Sequence, residues 1–194
     1  MNKYVYPLII LLLIIFTALL QAQTPFTLKD STKDLVNPYT LSKASTYKGY
    51  VDIVAVEVKR TENFLTFKIH LNGPIPSNPG NYLSYTISLD SDGVSENNCN
   101  NRLTPGDTMY SVYFNSYKKK WEFTKSVWKY GWTKVGTEAS YSIKYSEKFV
   151  EITIPLNEIK VEDKVCFKVF VEHDISQFIG EVLVKTTIGD LAPD

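Results

Sequence analysis

Histidine and cysteine, on which much metal and nucleophilic chemistry rests, are scarce: the 194-residue chain has two of each. A zinc site needs three or four nitrogen or sulfur ligands, and neither an HExxH run nor a paired Cys/His spacing occurs. No Gly-x-Ser-x-Gly elbow is present to present a nucleophilic serine. A triad or a carboxylate pair assembled only in space leaves no linear trace, but no spacing here calls for one, and the chain reads as non-catalytic. An excess of charge is missing too, with 21 Lys plus Arg against 21 Asp plus Glu, which argues against a dedicated nucleic-acid binder. No Asn-x-Ser/Thr triplet exists, so N-glycosylation through that signal is not expected. Beyond the N-terminus no amphipathic helix of useful length appears.

The one long apolar run opens the chain. Lys3 is followed by LIILLLIIF at residues 8–16, then TALLQA ending at Ala22. A charged start, a greasy stretch and a small residue point to a secretory signal peptide over residues 1–22, a segment that would be helical and either cleaved or retained as an anchor. The run from Leu8 to Leu20 is shorter than the roughly 20 residues that span a bilayer, and no membrane partner is expected beyond it. Residues 23–194 then form one domain, long enough to bury a sizeable core, and the protein is expected to be secreted or held at the cell surface. Export permits Cys99 and Cys166 to pair, although a surface thiol and a half-buried thiol explain the two equally well.

Past the leader the chain reads as strands. Residues 64–71 (FLTFKIHL) put Leu65, Phe67, Ile69 and Leu71 on one face and Thr66, Lys68 and His70 on the other. Similar patterns cover 50–59, 82–90 and 109–117. Shorter ones cover 120–125, 127–134 and 139–146, with turns near Lys119, Gly136 and Ser146. Residues 149–156, 165–172 and 181–187 complete the set, and NEIKVEDK makes a connection with room for one helical turn. About ten strands at such spacing predict an all-β, antiparallel two-sheet β-sandwich, with a closed barrel as the other architecture. Residues 23–49 are the least regular part and would either wrap onto a sheet edge or extend to a neighbouring molecule.

The order of several segments resembles a known group. FTLKDSTKD (26–34), YVDIVAVEVKRTENFLTFKIHLNG (50–73), YLSYTISLDSDG (82–93), FVEITIPLNEI (149–159) and the closing IGDLAPD follow one another as in secreted β-sandwich domains. Those domains are related to family 9 carbohydrate-binding modules and the DOMON-like domains. The resemblance implies a jelly-roll-like sandwich with neighbouring termini, and binding rather than catalysis. Some members bind sugars and others haem through Met and His ligands. Outside Met1 this chain has only Met109, His70 and His173 for that purpose, and haem is not expected.

Four features carry candidate chemistry. Trp128, Tyr130 and Trp132 lie two apart in VWKYGWTK; on one strand they would share a face, either a stacking platform for sugar rings or an ordinary core stripe. Asp90, Asp92 and Glu96 supply oxygen ligands of the kind calcium takes, although Asp92-Gly93 equally makes a simple polar turn and no full EF-hand pattern is present. Asp30 and Asp34, with Asp190 near the other terminus, would share a cation if the termini meet, or remain solvated loop charges. Lys118, Lys119 and Lys120 read either as an anion-binding tip or as a solvated turn that discourages edge pairing. The leading expectation is a carbohydrate-binding module for a polysaccharide or glycan, with calcium at most a stiffener. The alternative is a structural subunit of a surface layer or filament that self-assembles by strand exchange through residues 23–49.

Overall fold

The computed structural model describes residues 25–32, 35, 47–89, 107–128, 131–159, 167–179 and 182–192; for 175–179 and 182–192 only the backbone is described. The leader, Asp34, Asp90, Asp92, Glu96, Cys99, Tyr130 and Cys166 lie outside these residues.

Eleven strands form two antiparallel sheets among the described residues. The first sheet comprises β1 (Phe26–Lys29), β2 (Ile53–Arg60), β3 (Phe64–Leu71), β9 (Phe149–Pro155) and β8 (Ser140–Lys144), in that spatial order. The second comprises β11 (Val182–Ala192), β10 (Phe167–Ile179), β4 (Leu83–Leu89), β5 (Thr108–Asn115), β6 (Lys120–Trp128) and β7 (Trp132–Val135). The chain is an all-β sandwich, as the alternation of its strands requires.

Period-two burial is cleanest in β3, where Leu65, Phe67, Ile69 and Leu71 are buried and the residues between them face outward. In β5, Thr108, Tyr110, Val112 and Phe114 point inward on the same rule. These side chains meet Val56 and Val58 of β2, Ile152 and Ile154 of β9 and Val169 and Val171 of β10 in one continuous core shared by both sheets. Each large apolar side chain removed from water there contributes roughly 1.5–3 kcal/mol. Pro155 is the last residue of β9, where its missing N–H costs the ladder least. After it, Leu156–Glu158 make a single 3₁₀ turn.

Two expectations about elements change, and one alternative is met. The stretch 127–134 is not one strand: Val127 and Trp128 end β6, and Trp132 starts β7 after an intervening turn. Gly131 sits at φ 149°, a backbone angle that side-chain-bearing residues rarely adopt, and this lets the chain reverse. His173 is not at a strand end, because β10 runs on to Ile179 and pairs with β11 along its length. The irregular N-terminal segment supplies β1, which caps the edge of the first sheet by pairing with β2 inside the same chain. β1 and β11 are edge strands on one flank, since β11 lies alongside β2 and the Phe26 ring meets that of Phe167 at the start of β10.

Close packing at one end fixes the entry to β2. Gly73 N–H donates to the Gly49 carbonyl at 2.8 Å, and a Cβ on Gly73 would come within 2.9 Å of the Gly49 backbone. Beside it, fully buried Asp52 accepts from the Tyr47 hydroxyl at 2.6 Å and from the Asn72 amide at 2.8 Å, so its burial is matched by charge-assisted hydrogen bonds.

Candidate functional site

The outer face of the six-stranded sheet is assembled by register. Glu172 of β10 stands level with Ser84 of β4, which is level with Tyr113 of β5, which is level with Glu122 of β6. One step along, Phe170, Thr86, Ser111 and Thr124 form the next row, and Lys168, Ser88, Met109, Ser126 and Lys134 the one after. Short hydroxyl side chains therefore floor the middle of this face. Ser84, Thr86 and Ser88 are only 1–3% exposed although they point away from the core, because longer neighbours rise on either side. The Thr86 and Ser111 hydroxyls meet at 2.9 Å.

At one end of the face stand Trp128 and Trp132. They are directly opposite each other across the β6–β7 hairpin, with ring centroids 5.4 Å apart and planes at 66°. Trp128 is 55% exposed and Trp132 37%. They do not form a core stripe, and the two rings are not coplanar: an edge-to-face pair offers one ring face at a time. Tyr130 lies outside the described residues.

At the other end, the rings of Tyr82 and Tyr113 lie 6.0 Å apart. Burial pushes the Tyr82 phenol above its ordinary range; Ser84 draws it down, and Glu172, Asp174 and Tyr113 push it further up. Burial likewise raises the Glu172 carboxyl, with Asp174 adding like-charge repulsion. Lys168, at the far end of β10, is pushed down by burial alone.

The three lysines at the β5–β6 tip are partly neutralised. Lys118 Nζ donates to Glu122 Oε1 at 2.9 Å and Lys120 Nζ lies 3.4 Å from the same oxygen. Tyr113 and Asn115 donate to Oε2 at 3.0 and 2.9 Å. Led by the Lys118 hydrogen bond, this set holds Glu122 at about 2. Lys119 takes a left-handed φ of 53° in the turn, and Tyr117 stands 98% exposed at the tip.

Elsewhere the polar groups have structural work. Glu158 accepts from Lys125 and Thr137, each as close as 2.9 and 2.8 Å, from Tyr110 at 3.1 Å and from the Glu138 backbone N–H at 2.5 Å. Burial pushes Glu158 up, but these donors outweigh it and its pKa falls below the usual carboxylate range. Sequence reading missed this hub, because its partners come from three separate segments. His173, 4% exposed, faces inward with Nδ1 3.3 Å from the Tyr50 hydroxyl, and burial lowers its pKa. His70 lies on the outer face of the other sheet, 3.6 Å from Glu57, so it and Met109 occupy opposite outer faces. Asp30 follows β1 at the edge of the first sheet, and Asp190 lies on β11 opposite Val171. Among the described residues no three His, Cys, Asp or Glu come together as a metal group, and the Asp90–Glu96 loop is outside them.

No family model, curated protein or solved structure matches the chain.

Proposed function

We propose that the protein is a secreted or surface-displayed, non-catalytic binding module for carbohydrate. One observation carries this reading: two tryptophans, exposed and adjacent, stand at the end of a sheet face floored by hydroxyls. Indole rings left in water at an edge strand cost free energy unless something covers them, and the C–H faces of a sugar ring are suited to a single exposed indole face. Ser, Thr, Lys and carboxylate groups along the same face provide the donors and acceptors that sugar hydroxyls need. The leader supports an exported location, and the segment order resembling family 9 carbohydrate-binding modules and DOMON-like domains supports the same class. Calcium enters only as a stiffener of the Asp90–Glu96 loop.

The test is affinity electrophoresis of the protein, expressed with its leader, through gels holding different polysaccharides, in calcium and in chelator. Retardation by at least one polymer is expected, and Trp128→Ala should abolish it. Unchanged mobility in every gel would remove the reading.

A second reading rests on β1. This strand of four residues lies at a sheet edge, mostly exposed, and a segment of some twenty residues separates it from β2. Such a strand suits exchange with a second copy, which would make the protein a self-assembling surface subunit.

A further inference from the structure

We infer that the bound carbohydrate is a neutral linear chain laid along the outer face of the six-stranded sheet, resting on Trp128 and Trp132 at one end and on Tyr82 and Tyr113 at the other. The inference rests on the carbohydrate reading above and adds to it the length and charge of the ligand.

Spacing is the first argument. Along β6, Trp128 is six residues from Glu122, which is level with Tyr113. At about 3.3 Å per residue the two aromatic stations are about 20 Å apart along the strand. That exceeds one sugar ring and suits a run of several.

The floor between the stations is the second argument. Half-buried Ser111, Thr124 and Ser126 occupy it with Met109, while Thr86 beside them is buried and bonded to Ser111. Short hydroxyls leave room for a chain to lie close to the sheet, and each donates and accepts. Lys134 Nζ sits 5.3 Å from the centre of the Tyr113 ring and places an ammonium donor at the tyrosine station.

Charge is the third. Among the described side chains of this face, Lys120, Lys134 and Lys168 stand against Glu122, Glu172 and Asp174. At the tyrosine end both signs are interleaved, with Lys118 and Lys120 on Glu122 and Lys134 reaching the Tyr113 ring beside Glu172 and Asp174, so a polyion of either sign meets like charges there. A neutral, hydroxyl-rich chain meets no net repulsion at either end.

The experiment is calorimetric titration of the protein, expressed with its leader, with cello-, xylo-, laminari- and manno-oligosaccharides from the disaccharide to the octasaccharide, and with a polyuronate. Affinity for one neutral series should climb with length until the face is filled. Tyr82→Ala should weaken the longest member by roughly three- to tenfold while leaving the disaccharide unchanged, as loss of one aromatic contact implies. Tyr82→Phe, which keeps the ring, should restore most of that loss and shows that the fold is intact. Trp128→Ala should weaken every length. Binding that is flat with length, or a Tyr82→Ala variant that binds the octasaccharide like the parent, reduces the site to one station and overturns the inference while sparing the carbohydrate reading. A polyuronate bound as tightly as the neutral chains overturns it too. No heat with any oligosaccharide ends both.

Discussion

At the scale of single residues, Glu158 ties several segments together. Glu158 joins Lys125 and Tyr110 of the six-stranded sheet to the turn that follows β9, and holds Thr137 and Glu138 of the β7–β8 connection. Its side chain and that of Lys125 are each only 12% exposed. Glu158→Ala leaves an unpaired ammonium in a poorly solvated place, and should cost about 3 kcal/mol, read as a lower denaturation midpoint with unchanged slope. His173 makes a pH-dependent contribution of known sign. Burial lowers its folded-state pKa, and Lys48 adds to that while Asp174 and the Pro79 carbonyl oppose it. As pH falls from about 7 to about 5, the unfolded chain takes up the imidazole proton before the folded one does, so stability falls. His173→Gln should flatten this slope in denaturant titrations at several pH values. Comparing the two proteins separates His173 from Glu172, whose raised carboxyl pKa acts in the opposite direction. Equal slopes would show that the imidazole is not held neutral.

At the scale of elements, legibility followed the hydrophobic period. β3 and β9 could be read directly, because one face is core and the other is not, and the sequence alternates accordingly. β6 and β7 could not be separated at the right place. Trp128, Tyr130 and Trp132 continue the alternation straight through the turn, no Asn-Gly or Asp-Gly marks it, and only Gly131 hints at the reversal. β10 was read short because EHDIS interrupts its apolar run, yet pairing with β11 on one side and β4 on the other keeps the chain extended. The same limit applies to the site. The tryptophans stand out by type, but Tyr82, Tyr113 and Glu172 belong to three different strands and become neighbours only through register. The β1 strand supplies a prediction at this scale. It is paired within its own chain, so sedimentation should show one species whose size does not change with concentration. Growth with concentration that disappears when residues 23–30 are deleted would instead favour strand exchange and a self-assembling subunit.

At the scale of the whole molecule, two sheets share one core, and their outer faces are left for function. The outer face of the larger sheet gathers the exposed tryptophans, the tyrosine pair and the hydroxyl side chains, while Glu158 and Asp52 are bonded to neighbouring side chains. On the proposed function, recognition would sit on regular strands whose positions are fixed by their ladders. The chain's three tryptophans allow a direct reading of the central claim. Trp121 packs against Tyr85 and Phe114, whereas Trp128 and Trp132 face outward. The decisive measurement is the indole emission of the protein during titration with the polysaccharide that retards it most, beside the Trp128→Phe, Trp132→Phe double variant, in which only Trp121 emits. The account predicts a saturable change in the parent and none in the variant. An unchanged parent spectrum at saturating polymer, or the same change in both proteins, would contradict it.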